Sequence, residues 1–132
     1  MTAAWLGHKE IVNLILSAGF PVDQVNREGD TALMFAASTG HIEIVKSLLN
    51  HGAEINVQRE DGFSSLMLAT WNGHQEIVNI LLNNYGVQLN ATNKDGDTAL
   101  RIACLDGRKE ILSLLLRSNV NVNQISEVSA CE

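Results

Sequence analysis

Apolar and polar positions along the chain alternate between two kinds of helical segment. Short Ala-rich stretches such as Ala32 to Ala37 follow a hydroxyl residue, Thr31, Ser64 or Thr98, suited to cap a helix start. Each is followed by a segment with apolar residues at helical spacing, as at Ile44, Val45, Leu48 and Leu49, which predicts an amphipathic helix with one buried stripe. Glu43 sits in the first turn of that helix, where the dipole favours an anion. Between the two segments stands Gly40, Gly73 or Gly107, a residue that enters the left-handed region without a Cβ clash and so ends the first helix. Gly19, Gly52 and Gly86 close the second helix, with Asn119 at the matching place in the last unit.

This alternation has a fixed period. One phrase occurs four times, as Gly7-His8-Lys9-Glu10-Ile11-Val12, Gly40-His41-Ile42-Glu43-Ile44-Val45, Gly73-His74-Gln75-Glu76-Ile77-Val78 and Gly107-Arg108-Lys109-Glu110-Ile111-Leu112, at spacings of 33, 33 and 34. A second phrase precedes it at a constant offset, in Gly29-Asp30-Thr31-Ala32-Leu33, Gly62-Phe63-Ser64-Ser65-Leu66 and Gly96-Asp97-Thr98-Ala99-Leu100. The extra residue of the third interval falls near Tyr85, at a loop tip that absorbs it cheaply. The expected organisation is one domain over 1–132, with a truncated first repeat at 1–26, repeats at 27–59, 60–93 and 94–126, and a tail at 127–132.

The run Gly29-Asp30-Thr31-Ala32-Leu33-Met34-Phe35-Ala36-Ala37-Ser38-Thr39-Gly40-His41-Ile42-Glu43-Ile44-Val45, continued by Leu48-Leu49 and Gly52-Ala53-Glu54-Ile55-Asn56, resembles the ankyrin repeat. That resemblance implies an all-α solenoid of stacked antiparallel helix pairs. It also implies β-hairpin finger loops near Arg27-Glu28-Gly29-Asp30, Glu60-Asp61-Gly62-Phe63 and Lys94-Asp95-Gly96-Asp97, with fingers and first helices forming a concave face. Where the family usually carries Thr-Pro-Leu-His, this chain has Thr31-Ala32-Leu33-Met34, Ser64-Ser65-Leu66-Met67 and Thr98-Ala99-Leu100-Arg101, so the helix-starting Pro and the Thr-to-His hydrogen bond are missing. Stability per repeat is expected to fall below that of a consensus array. The first unit lacks a finger and no further finger follows Asn123. Uncapped repeats leave apolar faces open, so a segment of a longer array is expected, with end-to-end association as the alternative.

Charge narrows the range of partners. Fifteen acidic against nine basic residues give a formal net charge of −6, which repels nucleic acid phosphate. No run approaches the roughly 20 apolar residues of a membrane span, and Met1-Thr2-Ala3-Ala4-Trp5 lacks the layout of a secretion signal. Cys104 and Cys131 are too few for a disulfide framework. A cytoplasmic location follows as an expectation, with the nucleus as the alternative.

Catalytic chemistry finds little to stand on. His8, His41 and His74 recur at one place per unit, a ladder without the Cys or carboxylate partners of a metal site, so no metal is assigned. His51 suits a helix end. Cys104 takes the place of Ala37 and Thr70 and reads as a small packed thiol. The acids Glu60-Asp61 and Asp95-Gly96-Asp97 are expected on solvated turns with ordinary acidity. No phosphate loop is present. The Asn90-Ala91-Thr92 sequon is a chance match, and Asn56, Asn90 and Asn123, which match a loop Asn that the family can have hydroxylated, are explained by bonding to the backbone. No catalytic residue and no cofactor are assigned.

In ankyrin-like proteins recurring positions build the framework and variable ones recognise. The position after the finger glycine is Asp30, Phe63 or Asp97, and the pair before the next glycine is Trp5-Leu6, Ser38-Thr39, Trp71-Asn72 or Leu105-Asp106. The expected partner-binding set is Trp71, Phe63, Trp5, Asp30, Asp97, Ser38, Asn72, Leu105 and Asp106, with Arg27, Glu60 and Lys94 at the fingers. This mildly acidic, aromatic face suits a partner protein or peptide with apolar side chains flanked by Lys or Arg. The expected function is a non-catalytic binding module of a scaffold, adaptor or regulatory protein. The alternatives are an inhibitor occluding a partner's active site and a structural segment that self-associates; the chain is expected to be a monomer or a weak end-to-end oligomer.

Overall fold

The computed structural model describes residues 2–84 and 86–118, and within them eight helices pair off in sequence. The first pair is α1 (Thr2–Leu6) and α2 (Lys9–Ser17), the second α3 (Ala32–Thr39) and α4 (Ile42–Asn50). The third is α5 (Ser65–Trp71) and α6 (Gln75–Leu82), the fourth α7 (Ala99–Leu105) and α8 (Lys109–Arg117). Tyr85, Asn119, Asn123, Cys131 and the tail at 127–132 lie outside the described residues.

The hydroxyl residues cap as expected. Thr31, Ser64 and Thr98 have extended backbones, and their side-chain oxygens accept from the amides of Met34, Met67 and Arg101 at 3.2, 3.3 and 3.2 Å. Each such cap contributes about 1 kcal/mol to the start of its helix. Gly40 then ends α3 with φ +85°.

First helices stack on first helices, α1 on α3 on α5 on α7, and second helices stack likewise, α2 on α4 on α6 on α8, giving two layers. Small residues allow the first layer to close up: Ala36, Ala37, Ala69 and Ala103 are fully buried. Thr70, at the place of Ala37, is tolerated there because its hydroxyl donates to the carbonyl of Leu66 at 2.8 Å. The stripe of the second layer buries Ile44, Val45 and Leu48, then Ile77, Val78 and Leu81, then Ile111 and Leu115. Its first member differs, since Ile11 is 48 % exposed where Ile44 is 2 %, because among the described residues no helix pair covers that side of α2. No described helix is long and apolar enough to cross a membrane.

Hydrogen bonds between units set the stacking register. Asp23 Oδ1 accepts from the Glu54 amide at 2.8 Å, and at the corresponding place one unit on, Asn56 Oδ1 accepts from the Gln88 amide at 2.8 Å while its Nδ2 donates to the Gly86 carbonyl at 2.8 Å. Backbone bonding thus accounts for Asn56. The fingers are tight turns, and no strand is present among the described residues, so the expected β-hairpins are reduced to their tips. In the first finger the Asn26 amide donates to the Asp30 carbonyl and the Gly29 amide to the Asn26 carbonyl, both at 3.1 Å. Neighbouring fingers share one backbone bond each, Glu60 N to Glu28 O at 3.0 Å and Lys94 N to Asp61 O at 2.9 Å, too few to extend a ladder.

Candidate protein-binding face

The last turns of the first helices carry a row of side chains that the helix packing leaves in solvent. Trp5, Trp71 and Leu105 occupy equivalent places in α1, α5 and α7 and are 51, 52 and 59 % exposed. Each tryptophan is braced by a phenylalanine edge. Trp71 meets Phe63 with centroids 5.9 Å apart and planes at 82°, and Trp5 meets Phe35 at 5.5 Å and 83°, the crossed arrangement the ring quadrupoles favour. Ser38 holds the row's place in α3, where its Oγ accepts from Asn72 Nδ2 at 3.2 Å. Phe63 itself is half-buried against the core, so it supports Trp71 more than it presents a surface of its own.

Arg59 joins these aromatics to the fingers. In the fingers leading into α3 and α7, Asn26 and Asn93 wrap their own turns: Asn26 Oδ1 accepts from the Glu28 and Asp30 amides at 3.0 and 2.9 Å, and Asn93 Oδ1 from the Asp95 and Asp97 amides at 3.0 and 2.9 Å. The finger leading into α5 has Arg59 at that place, and Asp61 Oδ1 takes over by accepting from the Phe63 amide at 3.1 Å. The guanidinium grips Asp61 with Nε and Nη2 at 2.8 and 2.9 Å, reaches back to Asp30 with Nη1 at 3.3 Å, and lies 5.4 Å from the Phe63 centroid.

This corrects two expectations. The Arg59 hydrogen bond, opposed by partial desolvation and assisted by the Phe63 amide, holds the Asp61 carboxyl below the usual carboxylate range, so its acidity is not ordinary. The same bond raises the Arg59 guanidinium above its usual value. Asp30, expected among the exposed recognition residues, is only 8 % exposed and braces two fingers through Arg59 and through Asn26 Nδ2 at 3.2 Å. A buried acid needs such partners, and the tightness of the finger contact supplies them. Asp97 is half-buried and paired with Arg101 Nε at 2.8 Å. Arg27, Glu60, Lys94, Asn72 and Asp106 stand exposed.

The recurring histidines also do more than stack. His41 Nε2 lies 3.1 Å from the Trp5 carbonyl and His74 Nε2 lies 2.9 Å from the Ser38 carbonyl. A carbonyl only accepts, so both rings must donate through Nε2–H. Arg108, which breaks the His series, does the same with Nη2 at 3.2 Å from the Trp71 carbonyl. The second, third and fourth units thereby each clamp the backbone at the end of the first helix in the unit before. The clamp needs room: a Cβ on Gly40 would stand 2.8 Å from the His74 ring. Among the described residues no three His, Cys, Asp or Glu side chains converge as a metal site.

No curated protein matches the chain. Two family models do, one described as ankyrin repeats (3 copies) over residues 1–93 and one as ankyrin repeats (many copies) over residues 72–116. Repeats of this kind are generally protein–protein interaction modules. With helix pairs stacked in two layers, fingers at the edge and a family model spanning most of its length, the chain belongs to the ankyrin repeat family.

Proposed function

We propose that the chain is a non-catalytic module of a scaffold, adaptor or regulatory protein that binds a partner protein or peptide on the face made by its first helices and fingers. Trp71 carries the reading: half of a large rigid indole stands in water, fixed from behind by Phe63 and clamped through its carbonyl by Arg108. Such a side chain loses little conformational entropy on binding and offers a broad apolar contact, the properties of an interface anchor. Exposed Glu60 and Asp95 on the fingers and Asp106 after the end of α7 favour a partner with Lys or Arg beside its apolar residues.

Affinity capture from cell extract with wild type and Trp71→Ala side by side tests this. Partner proteins retained by the wild type should be lost from the variant while its helical circular dichroism stays intact. Identical capture by both proteins would refute the assignment of this face. A second reading, end-to-end association, is favoured by the open side of α2, where Ile11, Leu14 and Phe20 are exposed. Sedimentation at rising concentration should then show growing oligomers through that side, and a concentration-independent monomer would exclude it.

A further inference from the structure

Resting on that reading, we propose that the face accepts an extended segment laid along the stack, with two bulky apolar side chains about six residues apart and Lys or Arg beside them. Two aromatic shelves lie on the row, and they are not adjacent. Trp5 with Phe35 lines a shallow recess together with Thr2 and Asn26, and Trp71 with Phe63 forms the second shelf. They are separated by two steps of the helix stack, about 20 Å at a packing distance of roughly 10 Å per step. At about 3.3 Å per residue an extended chain covers that span in six residues.

The floor between the shelves is polar. Asn72 commits its Nδ2 to Ser38 Oγ and to the Leu68 carbonyl, which leaves its Oδ1 as an acceptor for a backbone amide of the segment. A docked helix satisfies its own backbone and needs apolar ground at every turn of about 5.4 Å, which would set apolar side chains on Ser38 and Asn72. An extended segment with a polar middle fits the sequence apolar, polar, apolar. Charge completes the description of the partner. Arg59 is taken up by Asp30 and Asp61, and Arg101 by Asp97, which leaves exposed Arg27, Lys94 and Arg108 against exposed Glu28, Glu60, Asp95 and Asp106. The surplus is acidic, and it selects cations on the segment.

The test is selection of displayed random 12-residue peptides against the whole 132-residue chain, followed by affinities of the selected peptides for Trp5→Ala and Trp71→Ala, each checked for folding by circular dichroism. Enriched sequences should carry two bulky apolar residues five to seven positions apart with Lys or Arg near them. Each variant should weaken them at least tenfold. Apolar residues at spacings of three and four, or peptides with a single anchor that respond to Trp71→Ala alone, overturn the extended two-anchor arrangement and leave the binding face standing. Peptides indifferent to both variants overturn the face as well.

Discussion

In the fingers leading into α3 and α7 an asparagine wraps its own turn, whereas in the finger leading into α5 Arg59 gives up that local task and spends its donors on Asp30, Asp61 and the Phe63 ring. One turn is built twice from local bonds alone and once with an added side-chain bond, Arg59 to Asp30, that crosses to the preceding finger. The lesson is that a break in the repeat need not be idle variation. Here it locks two fingers together, and it does so directly behind the Phe63–Trp71 pair.

The largest effect that separates the two designs concerns how closely the finger leading into α5 is packed. Gly62 has φ +86° and a Cβ there would lie 2.6 Å from Asn93 Cα, while Gly96, with φ +80°, has nothing within 4 Å among the described residues. Both alanine variants carry the left-handed strain of about 1–2 kcal/mol. Gly62→Ala should cost about 2 kcal/mol more by chemical denaturation, because backbone must move. Equal costs would mean that the fingers do not press on each other.

Next comes Arg59 itself. Arg59→Ala should lose about 2 kcal/mol, since it leaves the buried Asp30 carboxylate short of a donor. Arg59→Asn should lose less, because Asn can accept from the amides two and four residues on, as Asn26 and Asn93 do. A larger loss with Asn than with Ala would contradict the comparison. The clamps should rank lower: His74→Ala should cost about 1 kcal/mol and His74→Arg much less, because Arg108 already fills the same role with a guanidinium. His8→Ala should change stability by under about 0.5 kcal/mol, as expected of an exposed residue.

The smallest effect is the dependence on acid. The folded Asp61 carboxyl titrates below the unfolded one, so its pairing adds stability at neutral pH that is retained down to about pH 4 and fades as pH falls further through the folded value. Half of that side chain is in solvent, which keeps the contribution small. The stability gap between wild type and Arg59→Met should therefore narrow below about pH 4 in denaturation titrations. A gap that stays constant from pH 7 to pH 3 would assign the Arg59 contribution to packing alone.

Much of the fold was legible because it is periodic. The capping Thr31, Ser64 and Thr98, the breaking Gly40 and the stripe through Ile44, Val45 and Leu48 repeat at one interval, and a packed stack demands the same residue type at each step. The exposed row of Trp5 and Trp71 was legible by contrast, since both break that interval in size. What stayed hidden depends on contacts between units that no single repeat contains. Asp30 looks like any finger acid until Arg59, 29 positions away, is brought to it. The histidines look like a bare ladder until Arg108 shows that donation to the preceding carbonyl is the shared requirement. Arg59 was not singled out from the sequence, and its departure from Asn26 and Asn93 is the signal that could have marked it.

The division between a framework and a recognition row is tested most directly by calorimetric binding of a captured partner to Trp71→Ala, with unfolding free energy measured on the same preparation. Affinity should fall by about 30-fold or more, which corresponds to about 2 kcal/mol, while the fold keeps most of its stability. Unchanged affinity, or a protein that no longer folds, would show that Trp71 belongs to the framework.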